Sequence, residues 1–200
     1  MITFNITAGS PNVAIGSATI LVPCDEYTCL TARDELHTLR STAGSFDIVG
    51  TQYVADITGD PLSGGHWLVG GNLNDDKWID ILDFGVFTWQ WNANYGSGDT
   101  NCSTPYPHAD INGDGHVYTE DFTFIQINYL QGHEANCCGM PGYPLMGGPF
   151  ADSQSDGPIT RISVRELRRR GLGHLAVGDL NGDGWLDETD IVLFMQGVSP

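Results

Sequence analysis

Asp110 to Asp121 reads DINGDGHVYTED, and the reading of these twelve residues decides the fold. The same spacing recurs without gaps at Asn72 to Asp83 (NLNDDKWIDILD) and at Asp179 to Asp190 (DLNGDGWLDETD). Repetition is read first, because each copy is one supersecondary unit. The three windows hold 13 of the 25 acidic residues in a 200-residue chain of formal net charge −17. Oxygen-bearing side chains fall at positions 1, 3, 5, 9 and 12. In loop one these are Asn72, Asn74, Asp76, Asp80 and Asp83; in loop two, Asp110, Asn112, Asp114, Tyr118 and Asp121; in loop three, Asp179, Asn181, Asp183, Asp187 and Asp190.

This is the ligand spacing of an EF-hand calcium loop, in which position 7 adds a main-chain carbonyl. Those carbonyls belong to Trp78, His116 and Trp185. Hard oxygens on a flexible loop suit Ca²⁺, whereas Mg²⁺ demands a tighter octahedron and zinc or copper favours nitrogen and sulfur. Without a cation the carboxylates of each loop repel one another. Position 6 calls for a sharp turn; Gly115 and Gly184 comply and Lys77 departs. Position 8 is apolar throughout (Ile79, Val117, Leu186), which predicts short strands pairing neighbouring loops. Loop three, with four ligand aspartates and its glycine, ranks as the tightest site. Loop two is the weakest candidate, because a protonated Tyr118 is a poor ligand and a water or Thr119 has to fill its vertex.

Aspartate rather than glutamate at position 12, with a helix directly after, resembles the dockerin-type repeats of secreted bacterial proteins. The lines GNLNDDKWIDILDFGVF, ADINGDGHVYTEDFTFI and GDLNGDGWLDETDIVLF carry the resemblance. It implies duplicated loop–helix modules that bind calcium, up to three ions here, and a protein partner such as a cohesin. Recognition in that family leans on positions 10 and 11. These read Ile81-Leu82, Thr119-Glu120 and Glu188-Thr189, unlike one another.

Working outward, the apolar spacing after each loop predicts helices: about Leu82 to Asn92, one marked by Phe122, Ile125, Ile127, Tyr129 and Leu130, and one marked by Ile191, Val192, Phe194 and Met195. Ser163-Val164-Arg165-Glu166 reads as a capping box opening a helix to about Arg170, ended by Gly171 or Gly173. Five of the eight basic residues lie between Arg161 and Arg170, either a solvated helix end or a docking patch for an acidic neighbour. Before the loops, Ile2, Phe4 and Ile6 alternate, and Ala18–Val22 and Phe46–Ile57 are β-rich. The expected fold class is α+β: a small antiparallel β-sandwich over 1–70, paired calcium repeats over 71–135, a Gly/Pro-rich linker over 136–160 and a third repeat over 161–200. A sandwich followed by such repeats is similar to secreted modular proteins with a carboxypeptidase-regulatory-like β module.

Composition closes several routes. A chain this acidic does not attract nucleic-acid phosphates or an anionic membrane surface. No run of 18 apolar residues predicts a membrane span, and Met1 to Gly16 lacks the layout of a signal peptide. No G-x-S-x-G or H-E-x-x-H occurs, so no enzyme is expected. A zinc site from His108, His116, His133 and Cys137 or Cys138 has irregular spacing. Trp89 and Trp91 are read as core rather than as a sugar platform. Calcium loops of modest affinity belong outside the cell, where disulfides form. Cys24–Cys29 and Cys102 with Cys137 or Cys138 are the expected pairs. The leading expectation is an extracellular or cell-surface calcium-stabilised assembly module that associates with sister copies. A cohesin-anchoring dockerin and a carbohydrate-binding module stay open beside it.

Overall fold

The computed structural model describes residues 3–6, 14–23, 25–34, 37–39, 41–60, 63–96, 108–132 and 157–200. Each loop is followed by a helix: α1 is Ile81–Trp89, α2 is Thr119–Asn128 and α4 is Glu188–Met195, while α3, Val164–Arg169, precedes loop three. The helices begin where they do because the loop supplies the cap. The Asp80 side chain accepts from Leu82 N–H and Asp83 answers by accepting from Asp80 N–H; Asp187 and Asp190 repeat the exchange at α4. Two orphan donors are satisfied at each start.

α1 stops at Trp89, short of the expected Asn92, because Asn92 turns left-handed (φ 64°) and redirects the chain. Leu130 does the same (φ 64°) after α2. These turns settle the strand pairing differently from the expectation. Ile79 exchanges hydrogen bonds with Leu130 and Gln131 (2.7 and 2.9 Å), and Val117 with Asn92 and Ala93 (both 3.1 Å). Each loop of the first two therefore pairs with the chain leaving the other's helix, not with the other loop. Loop three supplies β8, Trp185–Asp187, which pairs antiparallel with β7, Arg161–Ser163.

One core serves all three repeats. Ile81 to Thr88 are buried without exception, as a mostly apolar helix requires, with Asp83 turned back into its loop. Phe194 of α4 meets Phe84, Phe87, Trp91 and Phe122 with ring centroids 6.0, 5.3, 5.0 and 5.0 Å away. The 3₁₀ turn Gly173–Gly178 lies against α1. A Cβ on Gly178 would stand 2.7 Å from Thr88 Oγ1 and 2.8 Å from Leu186 Cδ1. The close approach of the third repeat to α1 thus depends on a missing side chain. Residues 37–39 strap the same core: Leu39 is 2 % exposed, its N–H donates to Val69 O, and His37 O accepts from Gly71 and Asn72.

The helix and strand mix stands, but the described residues form no sandwich. The preceding strands form separate antiparallel pairs: β1 (Thr3–Ile6) with β2 (Ala14–Ser17), β3 (Thr31–Ala32) with β4 (Ser41–Thr42), and β5 (Ser45–Val49) with β6 (Gln52–Asp56). Ala18–Val22 forms no strand and is exposed, with Leu21 wholly so. The longest pair, β5–β6, leaves Ile48, Val49 and Val54 in solvent, so no second sheet of described residues covers its faces. Its ordered centre is local: Phe46 stacks on Tyr53 and Tyr27 sets its edge against the same ring. Two-stranded ribbons cannot bury a sandwich core. Cys29 is disulfide-bonded. Cys24, Cys102, Cys137, Cys138, His133 and residues 136–156 of the expected linker fall outside the described residues, while Ile159 at its end packs against the core. No described helix is long and apolar enough to cross a membrane.

Candidate metal centres

A single bonding pattern is written three times. The position-12 aspartate sits at the third residue of the following helix and faces back into the loop. Its Oδ1 accepts from the N–H groups of positions 2 and 3, and its Oδ2 from position 9. For Asp83 the donors are Leu73, Asn74 and Asp80 (2.6, 3.2 and 2.7 Å). For Asp121 they are Ile111, Asn112 and Tyr118 (2.7, 3.1 and 3.0 Å), and for Asp190 they are Leu180, Asn181 and Asp187 (2.9, 3.4 and 2.9 Å). Position 5 then donates its N–H to the position-3 amide oxygen and accepts from the position-7 N–H. Asp76 N–H reaches Asn74 Oδ1 and Trp78 N–H reaches Asp76 Oδ1; Asp114 with Asn112 and His116, and Asp183 with Asn181 and Trp185, repeat this at 2.9 Å. The side-chain oxygens of positions 3, 5 and 12 are thereby tied to the loop backbone in the same way in every copy.

The loops differ at position 1. Asp110 accepts from Gly113, Asp114 and Gly115, and Asp179 from Asp183 and Gly184. Gly115 and Gly184 bring their N–H groups there through left-handed backbone, φ 93° and 87°. In loop one Asp75 at position 4 is left-handed (φ 57°), while Lys77 at position 6 is not. Asn72 accordingly spends its amide on Asp76 O at 2.9 Å, and its Oδ1 is buried without a hydrogen-bond partner. Gly113 and Gly182 are left-handed at position 4 as well (φ 74° and 72°), a second turn requirement legible in the N-G-D-G pattern.

Burial grades the three sites. Asn72, Asn74, Asp76, Asp80 and Asp83 are all buried, and Trp78 half so. Asp110 and Asp121 are buried in loop two, with Asn112 and Asp114 exposed and His116 half-buried. In loop three only Asp190 is buried; Asp179 and Asp187 are half-buried, and Asn181, Asp183 and Trp185 are exposed. The electrostatics follow. Burial, then the Asp76 charge, pushes Asp80 up to about 7. Burial and the Asp76 and Asp80 charges push Asp83 well above the carboxylate range. Burial raises Asp121 to about 6 and raises Asp190 too, against the pull of their backbone donors. Crowded buried carboxylates are costly unless a cation joins them.

Position 9 is treated three ways. Asp80 Oδ2 accepts from Ile159 N–H at 2.6 Å. Tyr118 lays its ring parallel to His116 and edge-on to Trp91, so its side chain is committed to aromatic packing. Asp187 Oδ2 meets Arg161 Nε at 3.2 Å. Arg33 pairs with Asp75 at the rim of loop one, another partner with no local sequence signal.

Among the described residues no three or more His, Cys, Asp and Glu side chains converge as a ready cage. The donor set is instead mixed: carboxylate, amide and main-chain oxygen, which suits a hard cation. The unpartnered Asn72 Oδ1 fits that use. Half of the Ser163 capping box forms: Ser163 Oγ accepts from Glu166 N–H at 3.1 Å, while the Glu166 carboxylate grips Arg169 and Arg170 at 2.7 Å. Compared with known protein families, curated proteins and solved structures, the chain has no match.

Proposed function

We propose that this protein is an extracellular calcium-binding assembly module, without catalytic activity, whose loops hold up to three Ca²⁺ ions and whose rigid surface associates with a protein partner, sister copies or a cohesin-like domain. The observation that carries the reading is the threefold recurrence of one side-chain-to-backbone pattern around positions 3, 5 and 12. Surface turns need an Asx bond; they do not need a buried carboxylate nine to ten residues on that bonds back to the loop in every copy. Loop one adds the buried, unpartnered Asn72 Oδ1 and three buried aspartates, Asp76, Asp80 and Asp83. The disulfide at Cys29 supports an oxidising compartment. Exposed Ile127 on α2, and Val192 and Met195 on α4, support a surface for association.

Calcium binding only to the folded chain stabilises it by about 2.7 kcal/mol per site at a hundredfold excess over Kd. For a chain of this length each kcal/mol moves Tm by about 2–4 °C. Calorimetric titration of the EDTA-stripped protein, with melting in EDTA and in millimolar Ca²⁺, tests the reading. Heat of binding with a Tm rise of several degrees is expected. No heat and superimposable melts would end it.

A further inference from the structure

Resting on the calcium reading, we propose that Arg161 is a built-in competitor for the cation of loop three, a positioning residue that loosens this site relative to its sequence. Loop three has the fullest set of aspartates, and its position-9 carboxylate is already engaged at both oxygens. Asp187 Oδ1 accepts from Thr189 N–H at 2.9 Å, and Oδ2 faces Arg161 Nε at 3.2 Å. The guanidinium does not reach there by chance. Arg161 stands directly opposite Asp187 in the β7–β8 register, where cross-strand pairs interact most closely. Its guanidinium carbon lies 4.0 Å from the centroid of the Trp185 ring, a cation–π contact. Backbone register, aromatic face and carboxylate thus hold one positive charge beside a ligand oxygen.

Loop one makes the contrast. Its position-9 oxygen, Asp80 Oδ2, takes a neutral N–H from Ile159, two residues before Arg161. One short segment therefore meets both loops, bringing a neutral donor to one and a cation to the other. A Ca²⁺ ion entering loop three has to displace or tolerate the guanidinium; at position 9 of loop one it meets the neutral Ile159 N–H.

The experiment is calorimetric titration of the full chain with CaCl₂, beside melting in EGTA, for the parent protein, Arg161→Gln, Arg161→Lys and Asp183→Asn. Asp183→Asn marks which binding step belongs to loop three. The Arg161 side chain is half exposed, so its replacement leaves the core in place. Arg161→Gln should bind calcium at that step about fivefold more tightly, the scale of one ion pair near a surface. It should also melt lower in EGTA. Arg161→Lys should keep the parent affinity. A purely structural arginine would weaken both readouts together. Unchanged or weaker calcium binding by Arg161→Gln overturns this proposal alone. Absence of any calcium uptake by the parent protein overturns the calcium reading itself, and this proposal with it.

Discussion

Gly178→Ala sets two effects of opposite sign against each other. Gly178 is not among the left-handed glycines, so alanine there meets no backbone strain. Restricting the unfolded chain would by itself stabilise by about 0.4–1 kcal/mol. Against this, the new Cβ would lie 2.7 Å from Thr88 Oγ1 and 2.8 Å from Leu186 Cδ1. Both neighbours are anchored: Thr88 Oγ1 donates to Gly85 O at 2.9 Å, and Leu186 is fully buried. Overpacking of this kind costs about 1–3 kcal/mol, so the clash wins and the net loss is about 1–2 kcal/mol. That corresponds to a Tm lower by about 2–8 °C. Removing the obstructing oxygen should relieve part of it, so Thr88→Ala/Gly178→Ala should cost less than the two single changes added. Calorimetric melting at fixed calcium is the assay. A Gly178→Ala protein as stable as the parent, or a strictly additive double variant, would refute the packing of the third repeat on α1.

The calcium-free protein should lose stability as pH rises. Asp80 and Asp121 have folded pKa values raised to about 7 and about 6, and Asp83 and Asp190 are raised as well, above an unfolded value of about 3.9. Their contribution is full below pH ~4 and is lost through pH ~7, so urea midpoints in EGTA should fall between pH 4.5 and 7.5. Glu166, held down to about 2 by Arg169 and Arg170, titrates below that window and does not mask the trend. Midpoints that rise with pH in EGTA would count against the crowded-carboxylate account. Leu39→Ala should cost about 2–5 kcal/mol in chemical denaturation, because Leu39 belongs to the core of the loops although it precedes them by 33 residues. A loss below about 0.5 kcal/mol would separate residues 37–39 from that core.

Where an interaction lies within a dozen residues, it was legible. The side-chain-to-backbone bonds of each loop, the helix after it and the stop of α3 at Gly171 (φ 79°) all rest on local geometry. What the D-x-x-D spacing also encoded was the reciprocal cap between positions 9 and 12, which makes one aspartate serve loop and helix together. The burial of the loops was not legible. Loop three has the best sequence and the most exposed ligands; loop one, lacking its glycine, has the most buried ones. Burial is conferred by Phe194, Leu39 and their neighbours from distant parts of the chain, and no motif announces it.

That the described strands form no β-sandwich was not legible, for a related reason. Alternation predicts a strand with two faces, and it does so for β5 and β6, but it carries no information on whether another sheet exists to cover them. By itself the sequence determined three oxygen-rich turns and their caps, since each depends on side chains reaching their own backbone, and a mostly apolar α1. Only the tertiary structure decided that loops one and two pair with the exits of each other's helices, that Ile159 caps Asp80 across 79 residues, and that Arg161 sits on Asp187. Contacts at such separations are selected by shape and burial in the finished core, which leave no periodic trace along the chain.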